Sequence, residues 1–329
     1  MPFKDAAIAW RPALLARAFQ AGFPILSRVL LESPKLRFAT KPLTVPARIT
    51  IPTRHGDVGA LLYRPISADI EAQRTAGRRP PVHLLLHGGA FMARRPEQED
   101  NVARYLASEV GCYVVLPDYD VAPQVRYPVA EQQCYDVYAW ILGQAGVWGW
   151  DESRVSAGGA GAGAKLALSV IVQALQDGRP APVAASLEYG VSDFTLPDES
   201  RTSPLRFPMI GAWIPRMVRA TYLAGADLAD PVVSPAAYPR LGDFPPLLVL
   251  TGGLDALRHD MRAFAERARA RGAKVEHREF ARSDHGFTHV RPVETARAAI
   301  TMIGRHLRAA YDAPERHFLL ERPREPGPA

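Results

Sequence analysis

Beyond residue 80 the chain alternates short apolar runs with longer stretches of helical period, and this alternation narrows the fold more than any other feature. The runs "VHLLLHG", "YVVLPDY", "RVSAGG", "ASLEYG", "PLLVLTG" and "KVEHREF" have the length and composition of strands. Interspersed with them are "NVARYLASEV", "AEQQCYDVYAWILGQ", "AKLALSVIVQALQ", "DMRAFAERARARG" and "VETARAAITMIGRHLRAAY", in which apolar residues recur at helical spacing. Strands joined through helices imply a mostly parallel sheet covered on both faces. Two earlier runs, "ARITIPT" and "GALLYRP", add an antiparallel hairpin at its start, which makes eight strands in all. In such a sheet, reactive groups gather at the carboxyl ends of the strands.

Two segments fall outside the alternation. Residues Ala6 to Leu31 carry Leu14, Leu15, Ala18, Phe19, Ile25, Leu26, Val29 and Leu30 at roughly helical spacing, interrupted near Gly22 and Pro24. This predicts two amphipathic helices, packed as a lid over the body in preference to lying on a membrane surface. The stretch from Phe194 to Ala224, with "PLRFPMIGAWIPRMVRATYLAG", is rich in proline and large apolar residues and predicts a second piece of lid. The division expected is therefore cap helices over 1–45, a core over 46–312 with a cap insertion over 194–224, and a mobile tail over 313–329.

Composition excludes several classes of function. Hydrophobic residues make up 47% of 329, ample for a large core. The formal charge of +6 comes from arginines spread thinly along the chain, so no nucleic-acid partner is expected. Cys112 and Cys134 stand far apart without a histidine cluster, which indicates no metal site, no disulfide framework and a reducing cytoplasm. The amino terminus resembles neither a signal peptide nor a spanning helix, so a soluble protein away from membranes is expected. The "GGAGAG" run fits a nucleotide-binding glycine pattern only loosely, and no cofactor is expected. A small molecule is the expected partner, and a homodimer is left open.

Three short motifs carry the chemistry. "LLLHGGAF" follows an apolar strand and sets Gly88 and Gly89 where backbone amides approach a ligand closely. "GGLDALRHD" puts Asp255 directly after "LLVLTG", and "DHGF" puts His285 after "VEHREF". Between them, "RVSAGGAGAGAKLA" reads as a strand passing through a tight glycine turn into a helix, with Gly161 at the centre of the turn.

Motifs in this order resemble the α/β-hydrolase fold, and within it the hormone-sensitive-lipase-like esterases. "PDYDVAP", "YPVAEQQCYDVYAW", "DPVVSP" and "FPPLLVLTGGLD" extend the likeness over nearly the whole chain. The resemblance implies an eight-stranded, mostly parallel sheet flanked by helices, with a cap from the N-terminus and an insertion. It also implies His285 as the base, Asp255 as the residue that orients it, and the amides of Gly88, Gly89 and Ala162 as an oxyanion site. The family's serine falls on Gly161, its preceding acid on Ala160, and the arginine expected after "DY" on Asp120.

Glycine relieves the strain of the turn but carries no hydroxyl, so no acyl-enzyme can form at 161. Ser156, Ser192, Ser283, Cys112, Cys134 and Lys165 are the other nucleophiles to weigh; a desolvated lysine could form a Schiff base. The leading expectation is a catalyst that keeps the His285–Asp255 dyad and the amide site for non-covalent acid/base chemistry on an apolar carbonyl compound: a lyase, isomerase, cyclase or dehydratase. The alternatives are a non-catalytic binding protein and a weak carboxylesterase that uses water activated by His285. His87, Phe91, Arg94, Phe207 and Trp213 are the expected substrate contacts, with Phe19, Phe23, Met209 and Met217 also available to an apolar ligand. Arg95 shares with Arg94 the option of meeting a carboxylate or phosphate.

Overall fold

The computed structural model describes residues 3–313, with side chains from Pro12 onward, so most of the tail expected to be mobile lies outside the described residues. The strands are β1 (Ala47–Thr53), β2 (Gly56–Tyr63), β3 (Val82–Leu86), β4 (Tyr113–Pro117), β5 (Val155–Ala160), β6 (Ala185–Glu188), β7 (Leu247–Gly252) and β8 (Val275–Phe280). They form one sheet in the order β1-β2-β4-β3-β5-β6-β7-β8. The β1–β2 and β2–β4 pairs are antiparallel and every later pair is parallel. All eight expected strands are present.

Every residue of β3 to β7 is buried, which explains their unbroken apolar runs. The edge strand β8 alternates half-buried and exposed residues. The helices are α1 (Phe3–Leu30), α2 (Ser67–Thr75), α3 (Asp100–Tyr105), α4 (Val129–Gly143), α5 (Ala145–Trp148), α6 (Ala162–Gln176), α7 (Trp213–Thr221), α8 (Arg258–Ala270) and α9 (Val293–Tyr311). One core holds Leu84, Leu86, Val115 and Leu187 with apolar residues of α4, α6 and α8. A second, built around Leu85, Val114, Leu116 and Leu248, receives α3 and α9 on the opposite face. Period-two alternation along each strand divides its side chains between the two cores.

Three elements differ from the sequence reading. The N-terminal segment is one helix with Pro12 and Pro24 inside it, not two helices broken at Gly22 and Pro24. Ala16 is fully buried and Phe19 packs edge-on against Trp213 of α7 with ring centroids 5.9 Å apart, so tertiary contact overrides the local break. The "NVARYLASEV" helix holds α geometry to Tyr105, widens to a π turn over Leu106–Val110, and stops at Gly111 in the left-handed region. Helix α2 had no apolar period because none of its residues is buried. Among the described residues, no helix is long and apolar enough to cross a membrane.

Candidate active site

Strand β5 ends at Ala160, Gly161 makes the turn with φ +56° and ψ −113°, and α6 starts at Ala162. The Gly161 amide donates to Glu188 O at 2.9 Å, tying the bend to the end of β6. Two further glycines set the helix hard against β3: a Cβ on Gly159 or Gly163 would stand 2.2 or 1.9 Å from Leu86 O. A Cβ on Gly161 itself would point at His285, 3.3 Å from Nε2.

The dyad expected from the motifs is assembled. Asp255, fully buried after β7, holds Nδ1 of His285 at 2.9 Å through Oδ2, while its Oδ1 accepts from the Leu257 amide at 3.0 Å. With the neutral ring donating from Nδ1 to a carboxylate, Nε2 keeps its lone pair and faces Gly161. The imidazole also meets the Tyr189 ring edge-on at 4.7 Å.

The amide site differs in one member. Gly88 borders the cavity, but its N–H is directed to Oε1 of Glu99 at 3.4 Å. Beyond it, Gly89 at φ 125°, Ala90 at φ 53° and Phe91 at φ 57° form a run of positive φ, a backbone shape that concentrates N–H groups. Among the described residues, the amides of Gly89 and Ala90 have no acceptor. Ala162, first in α6, has no intrahelical acceptor for its own N–H. Gly89, Ala90, Ala162, Gly161 and His285 border a single cavity of about 260 Å³.

The outer wall of the cavity is apolar, with Phe19, Phe23, Leu26 and Leu30 from α1 and Trp213 and Ile214 from α7. Phe91 lies deeper, stacked on Tyr222 with centroids 4.7 Å apart. Phe91 and Trp213 therefore stand where expected, but three other expected contacts do not. His87 is fully buried outside the lining, stacked on Tyr119 at 4.2 Å, with Nδ1 2.7 Å from Gly88 O; burial pushes its pKa down. Arg94 is held by Asp118 and Asp120 at 3.0 and 2.8 Å. Phe207 is 83% exposed under the guanidinium of Arg206. Arg95 grips Glu32 with two hydrogen bonds, 2.9 and 2.8 Å, and so anchors the segment that follows α1.

Among the described residues that line the cavity there is no serine, threonine or cysteine. Ser156 bonds His83 at 2.7 Å and also Tyr311, and Ser192 is bound by Asp260 at 2.5 Å. Cys134 is fully buried in α4, and burial pushes the Cys112 thiol up to about 12. Lys165 is fully buried in a pair with Glu131, which also accepts from Tyr222.

Sequence reasoning missed a polar wall of the same cavity, made by Gln98, Glu99 and His289. Oε2 of Glu99 lies 3.0 Å from Nε2 of His289, whose Nδ1 is 3.0 Å from Tyr189 OH and 2.8 Å from Thr288 Oγ1. Burial alone would lower the His289 pKa, but the neighbouring Glu99 carboxylate raises it overall. Behind this wall the Glu188 carboxyl is fully buried, and burial, reinforced by Glu99, pushes it up to about 8. The faint signal was "FTH", which puts a second histidine four residues after the first.

A parallel sheet, a sharp turn from β5 into α6, and an Asp–His pair at the ends of β7 and β8 together define the α/β-hydrolase fold, and the chain belongs to that family, whose model matches residues 83–289. An acetyl-hydrolase of Streptomyces hygroscopicus is 31% identical over 230 residues, 69% of this chain and 75% of that protein. The carboxylesterase NlhH of Mycobacterium tuberculosis is 30% identical over 236 residues, 70% of this chain and 72% of that one. The structure of an esterase from Pyrobaculum calidifontis matches with TM-score 0.79 and 26% identity, over 94% of this chain and 98% of that chain.

Proposed function

We propose that this protein is a general-base catalyst that acts on apolar carbonyl compounds without an acyl-enzyme. The observation that carries the reading is the 3.3 Å between Nε2 of His285 and the position a side chain at 161 would take. A water molecule, or an acidic C–H of the ligand, comes to Nε2 at that point, and the amides of Gly89, Ala90 and Ala162 hold the carbonyl oxygen as it gains charge. Asp255 keeps the imidazole in the base tautomer and stabilises it once protonated.

Relatives named as esterases and acetyl-hydrolases favour water as the group that His285 activates, hence direct hydrolysis, over the lyase, isomerase, cyclase or dehydratase readings. Non-hydrolytic proton transfer keeps one observation in its favour: a second imidazole–carboxylate pair, His289 with Glu99, lines the same cavity. The test is hydrolysis of short-chain aryl esters, followed from the first turnover. The reading predicts slow turnover without a burst, no acyl adduct by intact mass, no labelling at the site by a fluorophosphonate, and a loss of ~100-fold or more in His285→Ala. A covalent adduct, or a His285→Ala variant as active as the parent, overturns it.

A further inference from the structure

The cavity beside the proposed base is largely apolar; apart from Arg201, which Asp198 and Asp260 hold, its polar side chains gather along the wall of Gln98, Glu99 and His289. Gln98 is only 4% exposed and borders the cavity, and among the described residues no side-chain hydrogen bond holds its amide. Its Nε2 lies 3.5 Å from where a Cβ on Gly88 would stand, one residue before the amides of the niche. A primary amide that borders a cavity without a protein partner is free to bond a ligand or water there. Next along the chain, Glu99 borders the same wall; its Oε2 is buried beside His289 Nε2 in an ion pair and accepts no hydrogen bond of its own. A donor and a strong acceptor thus face one cavity from adjacent residues.

The chemistry of the wall selects its guest. An anionic group is disfavoured by the Glu99 carboxylate, and a cation by the adjacent His289, which offsets that charge. A hydroxyl suits both neighbours at once, accepting from the Gln98 amide and donating to Glu99. We infer that Gln98 and Glu99 form a subsite for a hydroxyl group that the ligand carries close to its carbonyl. The niche amides of Gly89 and Ala90 directly follow Gly88, whose N–H rests on Glu99, so carbonyl and hydroxyl are separated by only a few bonds. The inference rests on the proposed reading for the place of the carbonyl and adds the class of compound: a hydroxylated ketone or ester with an apolar remainder.

Ketones undergo no hydrolysis, so the subsite can be read apart from turnover. The probes are propiophenone and its 2-hydroxy and 3-hydroxy derivatives, bound to the full chain and followed by calorimetry or by tryptophan fluorescence, since Trp213 borders the cavity. One hydroxyketone should bind ~10-fold or more tightly than the parent ketone, in the wild type and equally in His285→Ala. In Gln98→Met the preference should fall to about 2-fold or less while the parent ketone binds as before. Glu99→Gln, which keeps shape, should erase most of it as well. Equal binding of all three ketones by the wild type overturns the inference, and so does a preference that survives both substitutions. A preference lost in Gln98→Met alongside unchanged ester turnover in His285→Ala would sink the general-base reading and leave the subsite standing.

Discussion

Gly161 and His285 face each other across the cavity floor, and a methyl group on the glycine would stand 3.3 Å from Nε2. The imidazole is therefore aimed at the backbone position from which a serine would be activated. Gly161→Ser puts a hydroxyl within reach of a base already oriented by Asp255. We expect a gain of ~100-fold or more in hydrolysis of p-nitrophenyl acetate, now with a burst and an acyl adduct. A side chain at φ +56° is strained, so the same variant should lose ~1–3 kcal/mol of stability in denaturant unfolding.

Asp255→Asn removes the charge that fixes the His285 ring while preserving its shape. Turnover should fall by ~100-fold or more, chiefly in kcat, because the amide no longer stabilises the protonated imidazole. Steady-state kinetics on the best ester substrate checks this, and an effect confined to KM would assign Asp255 to binding.

Glu188 makes stability depend on pH. Its folded pKa of about 8 lies above the ordinary carboxyl value of about 4.3, so between these pH values the unfolded chain has released a proton that the folded one keeps. The stability this group contributes is fully present below the unfolded pKa and is lost as pH rises towards 8, at up to ~1.4 kcal/mol per pH unit. Glu188→Gln should show a flatter profile, with the gap between variant and wild type changing by a few kcal/mol between pH 4 and 8. Urea unfolding at several pH values measures it, and parallel profiles would mean that Glu188 is ionised in the folded state.

Lys165 and Glu131 are both fully buried, so removing one charge strands the other. Lys165→Met should cost about 3–5 kcal/mol, and adding Glu131→Leu should recover much of it. Chemical denaturation of both variants tests the pair. A cost under 1 kcal/mol for the single change would show that Tyr222 alone satisfies the carboxylate.

Arg95→Met should loosen the anchor between Glu32 and the body without unfolding the protein. Limited proteolysis near residues 31–37 should speed up several-fold while the thermal midpoint moves by no more than a few degrees. Unchanged cleavage would place the anchor elsewhere, for example at Gln20, whose side chain donates to Met92 O at 3.1 Å.

The sequence announced β3 to β7 because they bury both faces, and it announced Asp255 and His285 because each follows a strand end. What it withheld depends on chain segments that meet only after folding. Glu99 returns to cap the Gly88 amide from eleven residues away, Asp118 and Asp120 take Arg94, and α1, packed on α7, runs unbroken through Pro24. Phe207 has the composition of a pocket residue and the exposure of a surface one. Gln98 sits in a run of charged residues, "RRPEQED", where nothing signals that it turns inward.

Because Gly159 and Gly163 bring β5 and α6 into direct contact with the end of β3, the bend at 161 and the loop that starts at His87 are bolted into one rigid block. Replacing the residue at the tip of the bend alters what is presented to the neighbouring N–H groups without moving them. Such a chassis can exchange one chemistry for another through a single side chain, and any play needed for a differently shaped guest has to come from the imidazole loop and from α1 on the far side.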